Sequence, residues 1–233
     1  QYPGCGGSHG GRAAIKLQVR MSLKTGAIDA VRIEAGKDCD NKTPLQRDTP
    51  AAGSLLIKDL GYFDQEVFEN VEKAGAYWLS PWRTEVTLHD DQGQRVALID
   101  WLETQGPVFD GRVRFGAAKH ACRMIAWKVP PEVAARRRKR ILESAKKKGK
   151  APSKARLDRC DWAILLTNLP AETLSRDEAR VLYRGRWQIE LLFKRWKSQG
   201  RIGELTGNTV DRCMVQLWSR LLAAVVQQWM QCG

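Results

Sequence analysis

Hydrophobic and polar positions alternate along residues 13–23, without exception from Ile15 onward. Ile15, Leu17 and Val19 occupy every second place, and a short polar turn at residues 24–26 separates them from a second apolar run at 28–33. A period of two is typical of a β-strand with one buried face. Two such runs joined by a tight turn predict a β-hairpin.

The pattern then changes to alternating strands and helices. An aliphatic run at residues 55–57, bounded by glycines, predicts a short buried strand that ends at Asp59. Residues 63–74 have helical spacing with acidic residues in the first turn, which a helix N-terminus favours. Residues 76–79 predict another strand. Strands mixed with helices indicate an α/β fold.

The middle of the chain is richer in predicted strands. The segments 84–89, 95–101, 112–115 and 121–129 are short and carry apolar residues at strand spacing. Pro131 stands at the start of a basic helix that we predict to run to about residue 148, since proline is tolerated in a first helical turn. We interpret residues 82–160 as an antiparallel β-rich insertion with a basic arm.

The C-terminal third returns to the core pattern. Residues 161–167 predict a core strand, and Ser175 with Glu178 approximates a capping box at the start of a helix. We predict one helix over 183–197 and a last amphipathic helix over 208–229. The chain therefore divides into a first core part at 1–81, the insertion at 82–160, and core completion at 161–233. Most of the nine tryptophans, including Trp187, Trp196 and Trp229, are predicted to lie in the core.

Charge adds a candidate partner. The chain has 233 residues and a net charge of +13, and residues 136–159 hold twelve Lys and Arg against Glu143 and Asp158. So basic a block attracts polyanions, and nucleic acid binding at such a block weakens as salt rises. The alternative is a solvated segment without a ligand. A membrane surface is less favoured, because Ile141 and Leu142 supply the only regular apolar content nearby.

Several classes of protein are disfavoured. No stretch approaches 18 uninterrupted apolar residues, and the N-terminus has no apolar signal region. The six cysteines form no C-x-x-C pair, which argues against zinc and against a disulfide framework and fits reduced cytosolic thiols. The three histidines, His9, His89 and His120, are isolated, so zinc or serine chemistry finds no support.

The most specific pattern is the one formed by Tyr183, Arg186, Glu190 and Lys197. Their offsets of 3, 7 and 14 residues place them within a stripe of about 60° on a helix. A carboxylate can bind a divalent metal, and cations with a phenol can bind phosphate oxygens. The alternative is an exposed helix with ordinary ion pairs, such as Glu190 with Lys194.

Those four residues resemble the signature around the last acidic residue of the DDE transposases of bacterial insertion sequences, in the insertion-sequence-four-like group. Residues 59–62, Asp-Leu-Gly-Tyr, resemble the segment that carries the second Asp of the triad. Leu60 stands where that segment usually has Arg, which removes one charge contact. The residues at 2–7 and 161–168 are also similar to the group.

The resemblance implies a ribonuclease-H-like core of the retroviral integrase superfamily, with a β-rich insertion before the final Glu. It implies phosphoryl transfer that cuts and joins transposon-end DNA with Mg²⁺ or Mn²⁺. Asp59 and Glu190 would be catalytic metal ligands, and Tyr183, Arg186 and Lys197 would bind DNA. The implied partners are double-stranded DNA and a second copy of the protein across paired ends, in the bacterial cytoplasm.

The first Asp of the family's triad has no match. It should lie upstream of Tyr2, residues 1–11 contain no Asp or Glu, and Asp29, Asp38 and Asp40 lack its context. We therefore expect a truncated transposase or a remnant reading frame that binds DNA without cutting it. A ribonuclease-H-like nuclease and a noncatalytic basic DNA-binding protein are the alternatives.

Two further DNA contacts are predicted. The basic arm would use five consecutive side chains: Arg136, Arg137, Arg138, Lys139 and Arg140. Trp162 begins the strand before the signature helix, where related transposases place an aromatic residue near the DNA end. An exposed ring there could stack on an unpaired base, whereas a buried ring would pack in the core.

Overall fold

The computed structural model describes residues 14–149 and 151–232. The strands are β1 Ile15–Met21, β2 Ile28–Ala35, β3 Leu55–Ile57, β4 Tyr77–Pro81, β5 Leu88–His89, β6 Val108–Phe115, β7 His120–Lys128 and β8 Trp162–Thr167. The helices are α1 Gln65–Lys73, α2 Leu98–Gln105, α3 Pro131–Lys147, α4 Lys154–Asp158, α5 Arg176–Gly185, α6 Trp187–Ser198 and α7 Val210–Cys232. The loop predicted at 2–11 lies outside the described residues. The predicted mixture of α and β elements is confirmed.

The chain forms two compact units. The hairpin unit consists of Gln1–Asp48 and Arg184–Gly233, and the sheet unit consists of Thr49–Tyr183. Each unit is described by itself below. The predicted division at residues 82 and 161 stays a prediction. In the part of the chain that the structure describes, no helix is long and apolar enough to cross a membrane.

The hairpin unit begins with the predicted hairpin, which is confirmed. Strands β1 and β2 are antiparallel, with Ile15 opposite Ala35 and Val19 opposite Val31. Their apolar side chains pack against the inner faces of α6 and α7, where Trp196 and Leu217 are buried. This packing accounts for the alternation along β1, because one side of the hairpin lies against helices.

The prediction for tryptophan burial in the hairpin unit is partly wrong. Trp196 is buried as expected, but Trp187 is 56% exposed and Trp229 is 58% exposed. A helix residue enters the core only when it lies on the packed stripe. Residues on α6 and α7 that fall outside that stripe remain at the surface, whatever their hydrophobicity.

The sheet unit contains a six-stranded sheet in the order β3-β4-β8-β7-β6-β5. Strands β3 and β4 are parallel, and the other neighbours are antiparallel. The strands predicted as an insertion are hydrogen-bonded to the core strand, since β7 pairs with β8 along its length. One continuous sheet therefore supports both Asp59, after β3, and the start of α3, after β7.

One predicted strand is wrong. Residues 95–101 were expected to be extended, but α2 begins at Leu98. Leu98 and Leu102 are both buried, and their spacing of four residues places them on one face of a helix. A short apolar run is compatible with the period of two of a strand and with the period of 3.6 of a helix. Only the helix places both leucines on one buried face. The predicted strand at 84–89 is reduced to the two residues of β5.

Aromatic packing holds α1 on the sheet. Phe68 of α1 stacks on Trp78 of β4 with ring centroids 4.2 Å apart, and Phe115 of β6 meets Trp78 edge to face at 6.0 Å. All three side chains are fully buried. The Trp78 indole Nε1 donates a hydrogen bond to Glu72 Oε1 at 2.8 Å, which satisfies its buried polar atom.

Candidate functional site

Asp59 lies two residues beyond the end of β3. It precedes a single 3-10 turn at Leu60–Tyr62, and its Oδ1 accepts a hydrogen bond from Leu60 N at 2.8 Å. The carboxylate therefore caps that turn, and the side chain is partly exposed. A cap needs one carboxylate oxygen, so this role is compatible with a metal contact through the carboxylate. Whether Asp59 binds metal remains a prediction.

The helix that leads to the signature is capped as predicted. Ser175 N donates to Glu178 Oε2 at 2.8 Å, and Glu178 N donates to Ser175 Oγ at 3.3 Å. Ser175 Oγ also donates to Glu178 Oε2 at 2.6 Å. This hydrogen bond, followed by the one from Ser175 N, lowers the pKa of the Glu178 carboxyl. Near the other end of α5, Tyr183 packs at the edge of a buried cluster of the sheet unit that includes Leu79 and Leu165.

The single helix predicted over 183–197 is wrong in one detail. Helix α5 ends at Gly185 and α6 begins at Trp187, with Arg186 between them. Arg186 keeps helical dihedrals (φ −50°, ψ −29°), and Ile189 N donates to Arg186 O at 3.2 Å. Glycine has low helix propensity, and a Cβ on Gly185 would lie 3.3 Å from Leu23 Cδ1. The break therefore falls where a small residue allows close packing.

Glu190 stands on the first turn of α6 and pairs with Arg186. The Arg186 Nη2 and Glu190 Oε1 atoms are 3.0 Å apart, and the two side chains are 21% and 41% exposed. Glu190 and Lys197 both line a groove of about 630 Å³, together with Phe193, Lys194 and Ser198. Three signature residues thus lie in the hairpin unit. Arg186 is beside the Glu190 carboxylate, and Lys197 lines the same groove as Glu190.

Hard carboxylate oxygens are the ligands that Mg²⁺ prefers, and Asp59 and Glu190 supply that chemistry. Among residues 14–149 and 151–232, no three His, Cys, Asp or Glu side chains are grouped as a metal site. Asp59 lies in the sheet unit and Glu190 in the hairpin unit. Asp40, considered above as a third carboxylate, forms an ion pair with Lys16 at 2.9 Å.

The basic arm divides into cations that hold the protein together and cations that face solvent. Arg137 Nη1 donates to Trp162 O at 2.9 Å, and Arg138 pairs with Asp161. Arg159 Nη2 donates to Trp82 O at 2.7 Å, and burial lowers the pKa of its guanidinium. Arg137 and Arg138 thus fix α3 to the start of β8, and Arg159 fixes the segment after α3 to the residue that follows β4.

The other basic side chains of α3 are exposed. Arg136, Lys139, Arg140, Lys146 and Lys147 are all at the surface. At 100° per residue they fall within a stripe of about 120°, with Glu143 among them. Arg136 also donates from Nε to Glu132 O at 3.4 Å. This outward stripe is the part of the predicted arm that can meet a polyanion.

Trp162 is buried, with 2% of its surface exposed. Its indole Nε1 donates to Glu103 Oε1 at 3.2 Å, and the Lys128 ammonium lies 5.5 Å from the ring centroid. Lys128 also donates to Glu103, and this hydrogen bond is the main cause of a lowered pKa for the Glu103 carboxyl. The geometry favours the packing alternative over base stacking for Trp162.

One ion pair of a buried arginine was not predicted from the sequence. Arg123 of β7 makes a bidentate contact with Asp110 of β6, at 2.6 and 2.7 Å, and its Nη1 donates to Leu174 O at 2.6 Å. It thereby ties the loop before α5 to the sheet. A charged residue inside the apolar run at 121–129 is the feature that could have indicated it, since a buried charge needs a partner.

Comparison with known proteins gives the family. The family model for the transposase DDE domain matches residues 1–226, so the chain belongs to this family. It is 25% identical over 247 residues to the transposase for insertion sequence element IS1151 of Clostridium perfringens, covering 97% of this chain and 52% of that protein. It is 26% identical over 246 residues to the transposase for IS231E of Bacillus thuringiensis subsp. finitimus, covering 95% and 51%.

A shorter match is to the putative transposase InsL for insertion sequence element IS186A of Escherichia coli K12. The identity is 27% over 177 residues, covering 72% of this chain and 45% of that protein. The chain spans about half the length of the curated relatives it matches. The resemblance in the signature residues is thus accompanied by similarity along most of the chain.

Proposed function

We propose that this chain is part of an insertion-sequence transposase that cuts and joins transposon-end DNA by metal-dependent phosphoryl transfer. The observation that carries the proposal is the complete Tyr183, Arg186, Glu190 and Lys197 signature within a chain that belongs to the transposase DDE family. The fold we propose for the catalytic core is ribonuclease-H-like. The β1–β2 hairpin and the parallel pair β3–β4, with Asp59 following β3, support it.

Asp59 and Glu190 are the residues that would hold divalent metal, Mg²⁺ or Mn²⁺. When bound, such ions activate the attacking oxygen and stabilise the leaving one. Arg186 orients the Glu190 carboxylate through its contact at 3.0 Å. We propose that three groups hold phosphate oxygens of the DNA. They are Lys197, on the same groove as Glu190, Tyr183 and Arg186 itself.

Double-stranded DNA at transposon ends is the partner we propose, with two copies of the protein on paired ends, in the bacterial cytoplasm. The outward stripe of α3, which includes Lys139 and Arg140, supplies affinity for the phosphate backbone independent of sequence. Arg137 and Arg138 support this surface from behind through their contacts with the strand start. The basic arm therefore positions DNA, and the signature residues act on it.

The chain from Gln1 to Gly233 is proposed to bind DNA without cutting it. The family's first Asp has no match in residues 1–11, and two carboxylates offer fewer ligands than a pair of metal ions requires. A half-built site cannot stabilise the charge that develops during transfer. A version extended to carry that Asp is therefore the form in which activity is expected.

The test is Mg²⁺-dependent cleavage of a transposon-end duplex by that extended version. Asp59→Asn and Glu190→Gln each remove one metal-binding charge and should lower the cleavage rate by at least about 100-fold, while DNA affinity stays within about threefold. Asp177→Asn is the matched control, because its exposed carboxylate pairs with the neighbouring Arg176 and Arg180 of α5. Unchanged cleavage by either variant would favour a noncatalytic DNA-binding protein or a different set of ligands.

A further inference from the structure

Helix α7 has a second apolar face that is largely exposed in the part of the chain that the structure describes. Its inner face, with Leu217, Leu221 and Ala224, is buried in the core of the hairpin unit. Its outer face carries six large apolar side chains that are 41–81% exposed. They are Val215, Trp218, Leu222, Val226, Trp229 and Met230.

These side chains form a continuous stripe. At 100° per residue the six positions fall within about 120° of the helix circumference. Arg220 is the only charged residue between positions 213 and 232. Its Nη1 donates to Arg201 O at 2.6 Å and to Glu204 O at 2.7 Å, so it is directed away from the outer stripe. A helix that is apolar on two sides is typically covered on both.

The chemistry of the stripe favours a second copy of the same chain as its cover. The stripe offers no charged side chain that could pair with a charged partner. The same face of a second copy is also uncharged, and a two-fold axis brings two such faces together. The stripe residues from Val215 to Trp229 follow one another at intervals of 3, 4, 4 and 3 positions. This sequence spacing is close to the repeat of 3.5 residues that apolar positions have in coiled coils.

The exposed area is also of the right order for a dimer. With aromatic side chains at about 200 Å² each and aliphatic ones somewhat smaller, the six half-exposed side chains offer roughly 600 Å² per chain. A stable interface of standard size buries about 800 Å² per partner. Ser219 and Ala223, both exposed beside the stripe, can add the remainder.

We infer that the outer face of α7, from Val215 to Met230, is the contact through which two copies of this chain pair. The inference names a surface for the pairing proposed above. It stands on the exposed face alone, and its test needs neither DNA nor metal, so it can fail while the proposed function stands.

The test is sedimentation equilibrium of the whole chain over about 1–100 μM, with Leu222→Glu as the disrupting variant. A charge in the middle of a paired apolar stripe is costly to bury, so its dimer dissociation constant should rise by at least about 100-fold. Val181→Glu is the matched control, since Val181 is equally exposed but lies on α5. Far-UV circular dichroism should show the same helix content for all three proteins.

The wild type and the Val181 variant are expected to sediment as dimers, and the Leu222 variant as a monomer. Tryptophan emission should shift to the blue with concentration in the wild type, because Trp218 and Trp229 leave water on pairing. A wild type that is monomeric throughout, a Leu222 variant that still dimerises, or equal weakening by both substitutions would overturn the inference.

Discussion

At the scale of single residues, the defining contact is the pair formed by Arg186 and Glu190. Both side chains are partly exposed, and exposed ion pairs contribute little to stability. The pair is therefore better understood as a device that orients a carboxylate and places a cation beside it. The sequence predicts that these two residues share a helix face, but the break at Gly185 depends on local packing against Leu23, which no spacing rule provides.

Replacing Arg186 with Ala should weaken binding of transposon-end DNA by about tenfold at fixed salt, since one charge-assisted contact to phosphate is lost. The melting temperature should change little, because the pair is exposed. Fluorescence anisotropy measures the affinity. Arg184→Ala, an exposed neighbour on α5, is the control. Equal affinities for wild type and the Arg186 variant would support the simple exposed-helix interpretation instead.

At the scale of elements, the sequence predicts those whose local and tertiary preferences agree. Apolar and polar residues alternate along the first strand of the hairpin, as at Ile15 and Leu17, and Ser175 with Glu178 forms the capping box of α5. Both elements are therefore predictable from the local sequence pattern. Residues 95–101 are not, because a short apolar run fits a strand or a helix until burial of Leu102 decides. The exposure of Trp187 and Trp229 likewise depends on which helix face meets the hairpin.

The cap of α5 gives a pH dependence. Hydrogen bonds from Ser175 lower the pKa of Glu178 in the folded state. Its stabilisation is therefore present above the pKa of an unperturbed glutamate, about 4.3, and is lost as pH falls through the lower folded-state value. Glu178→Gln should melt below wild type at pH 7, and the difference should shrink and vanish as pH falls through the lowered folded-state pKa of Glu178. A difference independent of pH would show that the carboxylate charge is not involved.

Helix α3 carries basic side chains that stabilise the fold and others that we propose to contact DNA. Two double variants can distinguish these two roles. Arg137→Ala with Arg138→Ala should lower the melting temperature, because contacts with Trp162 O and Asp161 are lost. Lys139→Ala with Arg140→Ala should leave melting unchanged and reduce the slope of log affinity against log salt by about two. Measuring both quantities for both variants checks the division. An unchanged salt slope in the Lys139 and Arg140 variant would contradict it.

At the scale of the whole molecule, the proposed chemistry joins residues that are far apart in sequence and lie in different units. Asp59 belongs to the sheet unit and Glu190 to the hairpin unit. The motif around each residue suggests a role, but no periodicity can predict whether the two carboxylates meet. Carboxylates that share a pair of metal ions must lie within several ångströms of each other. The proposed metal site therefore requires that Asp59 and Glu190 converge when the protein binds DNA.

The most direct measurement replaces Mg²⁺ with Fe²⁺ in the extended protein, which carries the third carboxylate, bound to transposon-end DNA. Ascorbate and peroxide then generate hydroxyl radicals at the metal, and mass spectrometry locates the cuts in the protein backbone. The account predicts cuts beside both Asp59 and Glu190, suppressed by excess Mg²⁺ and lost in Asp59→Asn. Cuts beside only one of the two residues, or at neither, would contradict the claim that they hold the same metal site.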